Sequence, residues 1–410
     1  MSMGSFSFSD FPEDVQLSIL SLLNPSDIAI FACTSKRFVS LCQDETSKLW
    51  FALCDRRWGS KTEINRWANG KISYKLMYKI LNNWEHLIGF WRRCGHGQQN
   101  AVNPPSLIFF EWGSSFLSGS RVSPSHQGTY NVIKTPFLFM TISAEGQIVN
   151  YVDPDGQNDG DLIPVNVNFI GDMHFSVEEN AYRNLDNDDV INESGPLNGV
   201  PETSEMYQFY ANRMSPGTAD RSFRRQRRGD EGRKRWETEH FLKIVDCSPT
   251  PSRPLQGLWK GLCDEMKMEF YLVVYDGIGI SCRRVGDLSE RLSSFSPVFW
   301  TSNHTLIEPP FSREEQNIYD SRIHILPSEI GDDLQWNGSF VDDVVSRIMY
   351  INSSYDLVIP GLEDTSANPW RVEGRIWLYK NGTFGFGFLR DNFIVDLKHI
   401  ARNNCLLDTI

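Results

Sequence analysis

The chain has 410 residues, a formal net charge of −12 and a hydrophobic content of 40%. This length is typical of two domains, and the hydrophobic content is sufficient for a large core. The acidic balance disfavours general nucleic-acid binding, because that function needs a basic face to displace the counterions of the phosphates. No apolar run approaches the ~18 residues of a membrane span, so we expect no membrane domain.

Eight cysteines are scattered along the chain without a C-x-x-C pair. This distribution favours reduced thiols over a disulfide framework or a zinc site. Met1 is followed by small polar residues rather than by a basic flank and an apolar segment, which predicts that there is no signal peptide. We therefore expect a protein of the cytoplasm, the nucleus or both.

The N-terminal stretch predicts a series of short helices. Pro12 favours the start of the first helix, because its missing N–H would have no partner in that position. Asn24 and Pro25 are typical of the cap and first turn of a second helix. The apolar residues of the first helix recur at helical spacing and form one stripe, namely Val15, Ile19, Leu22 and Leu23.

So small a helical unit cannot bury all of its apolar side chains. Leu17, Leu20 and Ile30 lie off the main stripe, and we expect them to face solvent. Exposed apolar surface of this kind usually marks a binding partner. From periodicity alone, two interpretations stay open, namely one half of an interface and a plain helical hairpin domain.

A longer pattern in the same stretch distinguishes the two interpretations. It consists of Phe11-Pro12-Glu13-Asp14-Val15, Ile19-Leu20, Leu23, Asp27-Ile28, Cys33, Ser35-Lys36-Arg37-Phe38, Leu41 and Leu49-Trp50. This pattern resembles an F-box, which would occupy residues 1–60, and its one departure is Phe11 where many members carry leucine. The resemblance implies docking onto a Skp-type adaptor and, through it, onto cullin and RING subunits of a ubiquitin ligase. The adaptor contacts that it implies are Phe11, Pro12, Val15, Ile19, Leu20, Leu23, Ile28, Phe31, Phe38 and Trp50.

Apolar residues at helical spacing from Ile72 to Ile88 predict a helix that braces the F-box against the following domain. A stiff connection would suit a ligase receptor, which must hold its substrate at a fixed distance from the catalytic end. A flexible hinge is the alternative. We assign residues 61–90 to this bracing helix or linker.

From Trp91 onward, short extended runs alternate with Gly, Pro, Asn and Asp, which predicts strands separated by turns. Strands are predicted at residues 107–112, 137–142, 165–170, 258–260, 268–275, 278–284, 372–379, 383–389 and 393–397. Many short strands that continue to the end of the chain indicate an antiparallel barrel over residues 91–410. The predicted fold is therefore α+β, with a small all-α F-box, a large lipocalin-like β-barrel, and helical and disordered insertions.

A polar stretch at about residues 184–240 is predicted to be a long insertion that is at least partly disordered. Its basic end, at residues 221–235, is compatible with a nuclear-import or anion-docking patch. The alternative is solvated charge beside a helix from about residue 232 to residue 245. A further helix is predicted at residues 340–349.

Several motifs are shared with one group of receptors: Leu87-Ile88-Gly89-Phe90-Trp91, Pro251-Ser252-Arg253-Pro254, Gly257-Leu258-Trp259-Lys260-Gly261, Gly374-Arg375-Ile376-Trp377-Leu378-Tyr379 and Phe384-Gly385-Phe386-Gly387-Phe388. Together they resemble the F-box-only receptors with a C-terminal β-barrel, in which the barrel recruits the substrate. The Gly-x-Trp element is also similar to the opening strand of lipocalins. The chain departs from the group at Leu262-Cys263-Asp264-Glu265, which leaves the ligand specificity open.

The sequence contains no phosphate-binding loop, no H-E-x-x-H or G-x-S-x-G motif and no paired metal-ligand spacing. We therefore expect a non-catalytic protein without metal or cofactor, the substrate-recognition subunit of a Skp–cullin–F-box ubiquitin ligase with an unknown protein target. The alternative is a lipocalin-like barrel that binds a small ligand and uses the F-box as a sensor. Candidate substrate contacts, which could equally be ordinary strand residues, are Trp259, Lys260, Arg283 and Arg284.

Overall fold

The computed structural model describes residues 8–43, 48–94, 107–125, 129–153, 156, 162–179, 238–245, 247–262, 267–277, 279–285, 297–302, 305–325, 344–355, 370–402 and 405–409. An N-terminal helical unit is followed by two antiparallel sheets, so the predicted α+β class with a β-barrel is confirmed. The predicted insertion lies outside the described residues up to position 237, and so does the whole basic run at residues 221–235.

The helical unit contains α1 (Glu13–Leu20), α2 (Pro25–Ala32), α3 (Lys36–Gln43), α4 (Lys48–Trp58) and α5 (Tyr74–Trp84), with 3-10 turns at Phe8–Asp10, Ile64–Gly70 and Glu85–Leu87. Pro12 directly precedes α1 and Pro25 begins α2, as expected for residues whose missing N–H needs no partner there. Ser73 caps α5, and its side chain accepts a hydrogen bond from the Leu76 N–H. The helix predicted at residues 72–88 is therefore present as α5 and the turn that follows it.

The first sheet is a closed barrel of eight strands: β1 (Gly89–Cys94), β2 (Leu107–Trp112), β3 (Leu117–Pro124), β4 (Val132–Ile142), β5 (Ile148–Val152), β6 (Ile163–Gly171), β7 (His174–Glu179) and β8 (Glu239–Lys243). β1 pairs with β8 and closes the barrel. The rings of Phe110 in β2 and Phe175 in β7 lie 5.7 Å apart although these strands are not neighbours. Trp91 lies 4.8 Å from Phe175. Aromatic rings therefore pack across the barrel interior.

The second sheet contains β9 (Gly257–Leu262), β10 (Met268–Tyr275), β11 (Ile280–Arg284), β12 (Pro297–Thr301), β13 (Leu306–Ile307), β14 (Ile323–His324), β15 (Val345–Tyr355), β16 (Trp370–Tyr379), β17 (Phe384–Phe388) and β18 (Phe393–His399). Its order is β12-β11-β10-β9-β18-β17-β16-β15-β13, and β14 pairs in parallel with β18. The Thr301 hydroxyl in β12 donates to the Tyr350 carbonyl in β15 at 3.1 Å. The sheet therefore curls until its two sides meet, and it is termed the curled sheet below.

Two smaller elements complete the C-terminal half. Helix α6 (Arg313–Asp320) packs through Ile318 and Tyr319 against Trp377 and Ile394 of the curled sheet. A short hairpin is formed by β19 (Ala401–Arg402) and β20 (Cys405–Leu406).

The two sheets share one apolar seam. Phe90, Leu107 and Phe109 of the closed barrel belong to the same buried cluster as Leu258 and Phe270 of the curled sheet. The C-terminal segment is part of this junction, because a residue next to the C-terminus, Asp408, accepts a 2.8 Å hydrogen bond at its carbonyl from the backbone of β4. The sheets therefore form one packed unit rather than separate domains on a linker.

Both sheets begin with the same local structure, termed the opening corner. Gly89 and Gly257 have φ angles of 111° and 127°, which side chains with a Cβ rarely adopt. Two residues later, the Trp91 and Trp259 indole N–H groups donate to the carbonyls of Leu87 and Leu255, at 2.6 and 2.9 Å. The Gly-x-Trp element is thus used twice, once at the start of each sheet.

Two predicted helices are wrong, because tertiary pairing places strands there. Residues 239–243 form β8, in which Glu239 makes a buried ion pair with Arg93 of β1 at N···O distances of 2.6 Å. Phe241 stacks on Phe175 at 5.1 Å. Residues 345–349 belong to β15, whose Ile348 lies opposite Trp377. Cross-strand partners of this kind outweigh local helix preference.

Within the described part of the chain, no helix has the length and apolar character needed to cross a membrane. The seven cysteines that the structure describes are free thiols. Burial raises the pKa of the Cys54 thiol to about 12, which keeps it protonated and unreactive at neutral pH.

Candidate functional site

The helical pair α1 and α2, with the segment before α1 and the turn between them, carries five apolar side chains that no described residue covers fully. They are 37% to 72% exposed and comprise Phe11, Val15, Ile19, Leu22 and Ile30. They are termed the outer helix face. Single exposed apolar residues are common on protein surfaces, but five within 20 residues of a helical pair indicate an interaction site.

A buried polar residue orients α1 so that this face points outward. The Gln16 side chain is buried and donates to the carbonyls of Phe8 and Phe11, at 3.0 and 2.8 Å. Phe8 in turn packs edge-on against Phe31 and Phe38, with ring centroids 5.2 and 5.8 Å apart. These contacts fix the inner side of α1 against the helical core, which leaves Val15 and its neighbours in the stripe on the outside.

This arrangement corrects the expectation that Leu20 faces solvent, and it buries two more of the implied adaptor contacts. Leu20 was expected to face solvent but is only 1% exposed, and Ile28 and Trp50 are also buried. The Trp50 indole N–H donates to the Cys42 carbonyl at 3.0 Å. These side chains stabilise the helical unit itself, and their role as adaptor contacts stays a prediction.

The other implied contacts divide by their burial. Phe11, Pro12, Val15 and Ile19 are exposed, and Leu23, Phe31 and Phe38 are partly buried. Their role as adaptor contacts stays a prediction. Ile30 was predicted to be exposed, and the structure confirms this. Leu22 was predicted to lie in the main apolar stripe, but it was not among the implied adaptor contacts.

Helix α5 is fixed to α4 by polar and aromatic contacts. Arg57 donates to the Tyr78 hydroxyl and the Asn82 side-chain oxygen, both at 2.8 Å, and makes an ion pair with Glu85. Trp58 packs edge-on against Tyr78 at 5.0 Å. The bracing helix is thereby held along its length and beyond its C-terminal end.

The same region contacts the closed barrel directly. The Thr62 hydroxyl lies 2.7 Å from the Gly113 carbonyl and accepts a 2.9 Å hydrogen bond from the Trp67 indole. Trp112 of β2 lies 6.4 Å from both Trp58 and Trp67. One buried apolar cluster therefore runs from the helical unit into the barrel. This continuity favours the stiff connection over the hinge.

Two of the four predicted substrate contacts have structural roles. Trp259 and Lys260 are fully buried. The Lys260 ammonium lies 2.7 Å from the Asp408 carboxylate and 3.3 Å from the Leu407 carbonyl. Burial lowers the pKa of Lys260, and Asp408 opposes this shift. The side chain of Lys260 thus holds the C-terminal segment, and a role of Lys260 or Trp259 in substrate binding stays a prediction.

The remaining two predicted contacts lie near one edge of the curled sheet. Arg283 is exposed, and Arg284 makes an ion pair with Glu269 at 2.9 Å. The Tyr271 hydroxyl donates to the same carboxylate at 2.9 Å. Their role in substrate binding stays a prediction. Among the residues that the structure describes, no group of three or more His, Cys, Asp or Glu side chains could hold a metal ion.

Comparison with known proteins agrees with this geometry. Residues 8–55, which include the outer helix face, match the F-box domain. The chain is also 50% identical, over an alignment of 436 positions, to "F-box protein At3g12350" of Arabidopsis thaliana, and the alignment covers 100% of this chain and 99% of that protein. The chain therefore belongs to the F-box protein family.

Proposed function

We propose that this F-box protein is the substrate-recognition subunit of a Skp–cullin–F-box ubiquitin ligase. The outer helix face carries the proposal, because it presents five exposed apolar side chains within the matched F-box residues. F-box domains generally bind Skp-type adaptors. An adaptor that covers this face would remove apolar surface from water, which is the main favourable term in most protein association. We expect the complex in the cytoplasm, the nucleus or both.

In this proposal, the two halves of the chain have separate roles. The F-box binds the adaptor, and the two sheets present the protein target. Because Thr62, Trp58 and Trp67 fix the helical unit to the closed barrel, a bound target is held at a set position relative to the adaptor. Such tethering converts a bimolecular transfer into an effectively unimolecular one. The chain itself then needs no catalytic group.

The small-ligand alternative has less support. Aromatic rings pack across the interior of the closed barrel. A pocket at one end of the curled sheet has a volume of about 180 Å³, whereas sites for drug-sized ligands typically measure about 300–1,000 Å³. These observations favour a receptor that binds protein over a barrel that encloses a lipid or hormone.

The proposal can be tested by affinity purification and mass spectrometry of the full chain beside the double variant Ile19→Asp/Ile30→Asp. Two charges on the outer helix face should abolish recovery of adaptor and cullin, while a client held by the sheets should remain or accumulate. Ile148→Asp is the matched control, because Ile148 is also an exposed isoleucine but lies in β5 of the closed barrel. Equal recovery of the adaptor with the double variant would refute the proposal.

A further inference from the structure

A pocket of about 180 Å³ lies at the end of the curled sheet where β9 begins. It is termed the end pocket. Its walls come from the segment before β9, the first residues of β15, the β16–β17 hairpin and the last residue of β18. The lining side chains that matter below are Thr250, Leu255, Arg347, Leu378, Phe384 and His399.

Arg347 enters the end pocket because β15 contains a bulge. Val345 lies opposite Tyr379 and Arg347 lies opposite Leu378, so one extra residue interrupts the pairing between them. The hydroxyl of that extra residue, Ser346, donates to the Leu378 carbonyl at 3.0 Å. A bulge redirects the side chain next to it, and bulges are frequent beside functional sites. Here the redirected side chain is a guanidinium.

No described residue gives the Arg347 guanidinium a hydrogen bond or a carboxylate partner, and none of the described residues that line the end pocket is acidic. A guanidinium has five N–H donors in a planar fork that fits a carboxylate or phosphate. The described lining of the end pocket therefore holds an arginine and no carboxylate, although the chain has a net charge of −12. This composition selects for an anionic group.

Other basic residues lie at or near the end pocket. His399 stacks on Trp259 at 4.3 Å and so holds a fixed orientation at the wall. The charge of Arg402 reaches His399 and contributes to lowering its pKa, after burial. Burial raises the pKa of Tyr275, and the charges of Arg347 and Arg253 oppose that shift, so both arginines lie near its hydroxyl. Among the described lining residues, Arg347 is therefore the cation of the end pocket, and Arg253 and Arg402 lie outside the lining.

We propose that the end pocket binds an anionic group on a short apolar stem, with a phosphate monoester preferred over a carboxylate. The Arg347 fork would bind the anion, and Leu255, Leu378 and Phe384 would contact the stem. A phosphate monoester carries about −1.5 to −2 charges at neutral pH and three acceptor oxygens, so the Arg347 fork should bind it more strongly than a carboxylate with one negative charge. The anion site stands on its own geometry, whereas its use for a phosphorylated side chain of a client rests on the proposed function.

Isothermal titration calorimetry of the full chain, in a phosphate-free buffer, tests the site with phenyl phosphate and benzoate as probes. Phenyl phosphate should bind more tightly than benzoate, and Arg347→Ala should weaken its binding about tenfold or more, because charge-assisted hydrogen bonds are lost. Arg390→Ala is the matched control, because Arg390 is exposed and lies outside the end pocket. Arg347→Lys keeps the charge but not the fork, so it should retain only part of the affinity.

Several results would overturn the site. Equal affinity of phenyl phosphate for the parent chain and Arg347→Ala would do so, as would an equal loss in Arg390→Ala or the absence of binding by either probe. Tighter binding of benzoate would overturn the phosphate preference. Thermal unfolding without probe should be unchanged in Arg347→Ala, since no described partner is lost.

A second readout separates this site from the proposed receptor function. Adaptor recovery with Arg347→Ala should equal that of the parent chain, while client recovery should fall. If phenyl phosphate binds as expected but client recovery is unaffected, the anion site stands and its role in client binding is refuted. If the adaptor does not bind the parent chain, the receptor function fails independently of the calorimetry.

Discussion

Truncating the outer helix face should weaken adaptor binding without unfolding the protein. Leu22 and Ile30 are 72% and 68% exposed, so roughly two thirds of each side chain is available for burial by a partner. Full burial of such a side chain contributes about 1.5–3 kcal/mol. Covering the exposed part therefore contributes about 1–2 kcal/mol. Leu22→Ala and Ile30→Ala should each raise the Kd for the adaptor roughly 5- to 30-fold.

Leu20→Ala provides the contrasting variant, at the last residue of α1. Leu20 is 1% exposed and belongs to the helical core. Its truncation should lower the free energy of unfolding by about 2–5 kcal/mol, because it removes buried methyl groups and leaves a cavity. For Leu22→Ala and Ile30→Ala, which are surface substitutions, the change should stay within about 0.5 kcal/mol.

Two measurements on the purified full chain decide the matter, namely calorimetric titration with the Skp-type adaptor and denaturant unfolding of the free chain. If Leu22→Ala and Ile30→Ala leave the Kd unchanged, the outer helix face is not the adaptor surface. If they destabilise the chain as much as Leu20→Ala, these side chains are packed rather than exposed, and the assigned orientation of α1 and α2 is wrong.

Three further predictions concern stability. Gly257→Ala should lower the melting temperature more than Gly89→Ala. Both glycines have positive φ, but only at Gly257 would a new Cβ lie 2.4 Å from a backbone carbonyl oxygen. Equal shifts in melting temperature would contradict this. Glu239→Ala should cost about 3–5 kcal/mol in denaturant unfolding, because it leaves the Arg93 guanidinium buried without its partner; a loss below about 1 kcal/mol would refute the role of the pair. Burial and a neighbouring arginine lower the pKa of His399 from 6.5, so the unfolded chain binds its proton more readily. The stability of the chain should therefore fall as the pH drops below 6.5 towards the folded-state pKa of His399. In melting temperatures measured between pH 7 and pH 5, His399→Gln should show a smaller decrease than the parent chain. An unchanged pH dependence would argue against the burial of His399.

Local signals in the sequence were sufficient for many of the elements. Prolines at the starts of α1 and α2 predict these helices through backbone constraints, and apolar residues at helical spacing predict α5. The strands predicted at residues 107–112 and 268–275 coincide with β2 and β10, because aromatic and β-branched runs bounded by turns need no distant information. The Gly-x-Trp elements can be seen in the sequence too, but the φ angles and indole hydrogen bonds that make them opening corners cannot.

The errors arise where a distant partner decides. Periodicity shows which residues of α1 share a side but not which side is buried, and the hydrogen bonds of Gln16 to Phe8 and Phe11 fix that choice. Residues 239–243 form a strand because Glu239 meets Arg93, 146 residues away in the sequence. Nothing local indicated that Asp408 would cover Lys260.

The two opening corners also allow the ends of the two sheets to be compared position by position. In the closed barrel, Lys243 lies opposite Trp91 and donates to the carbonyl of His86, in the turn that follows α5. In the curled sheet, the residue opposite Trp259 is His399, which lines the end pocket. Equivalent positions thus face the protein's own bracing helix in one sheet and a solvent-accessible pocket in the other. The opening corner of the closed barrel thus helps to hold the helical unit in place. The same corner in the curled sheet leaves space for a ligand in the end pocket.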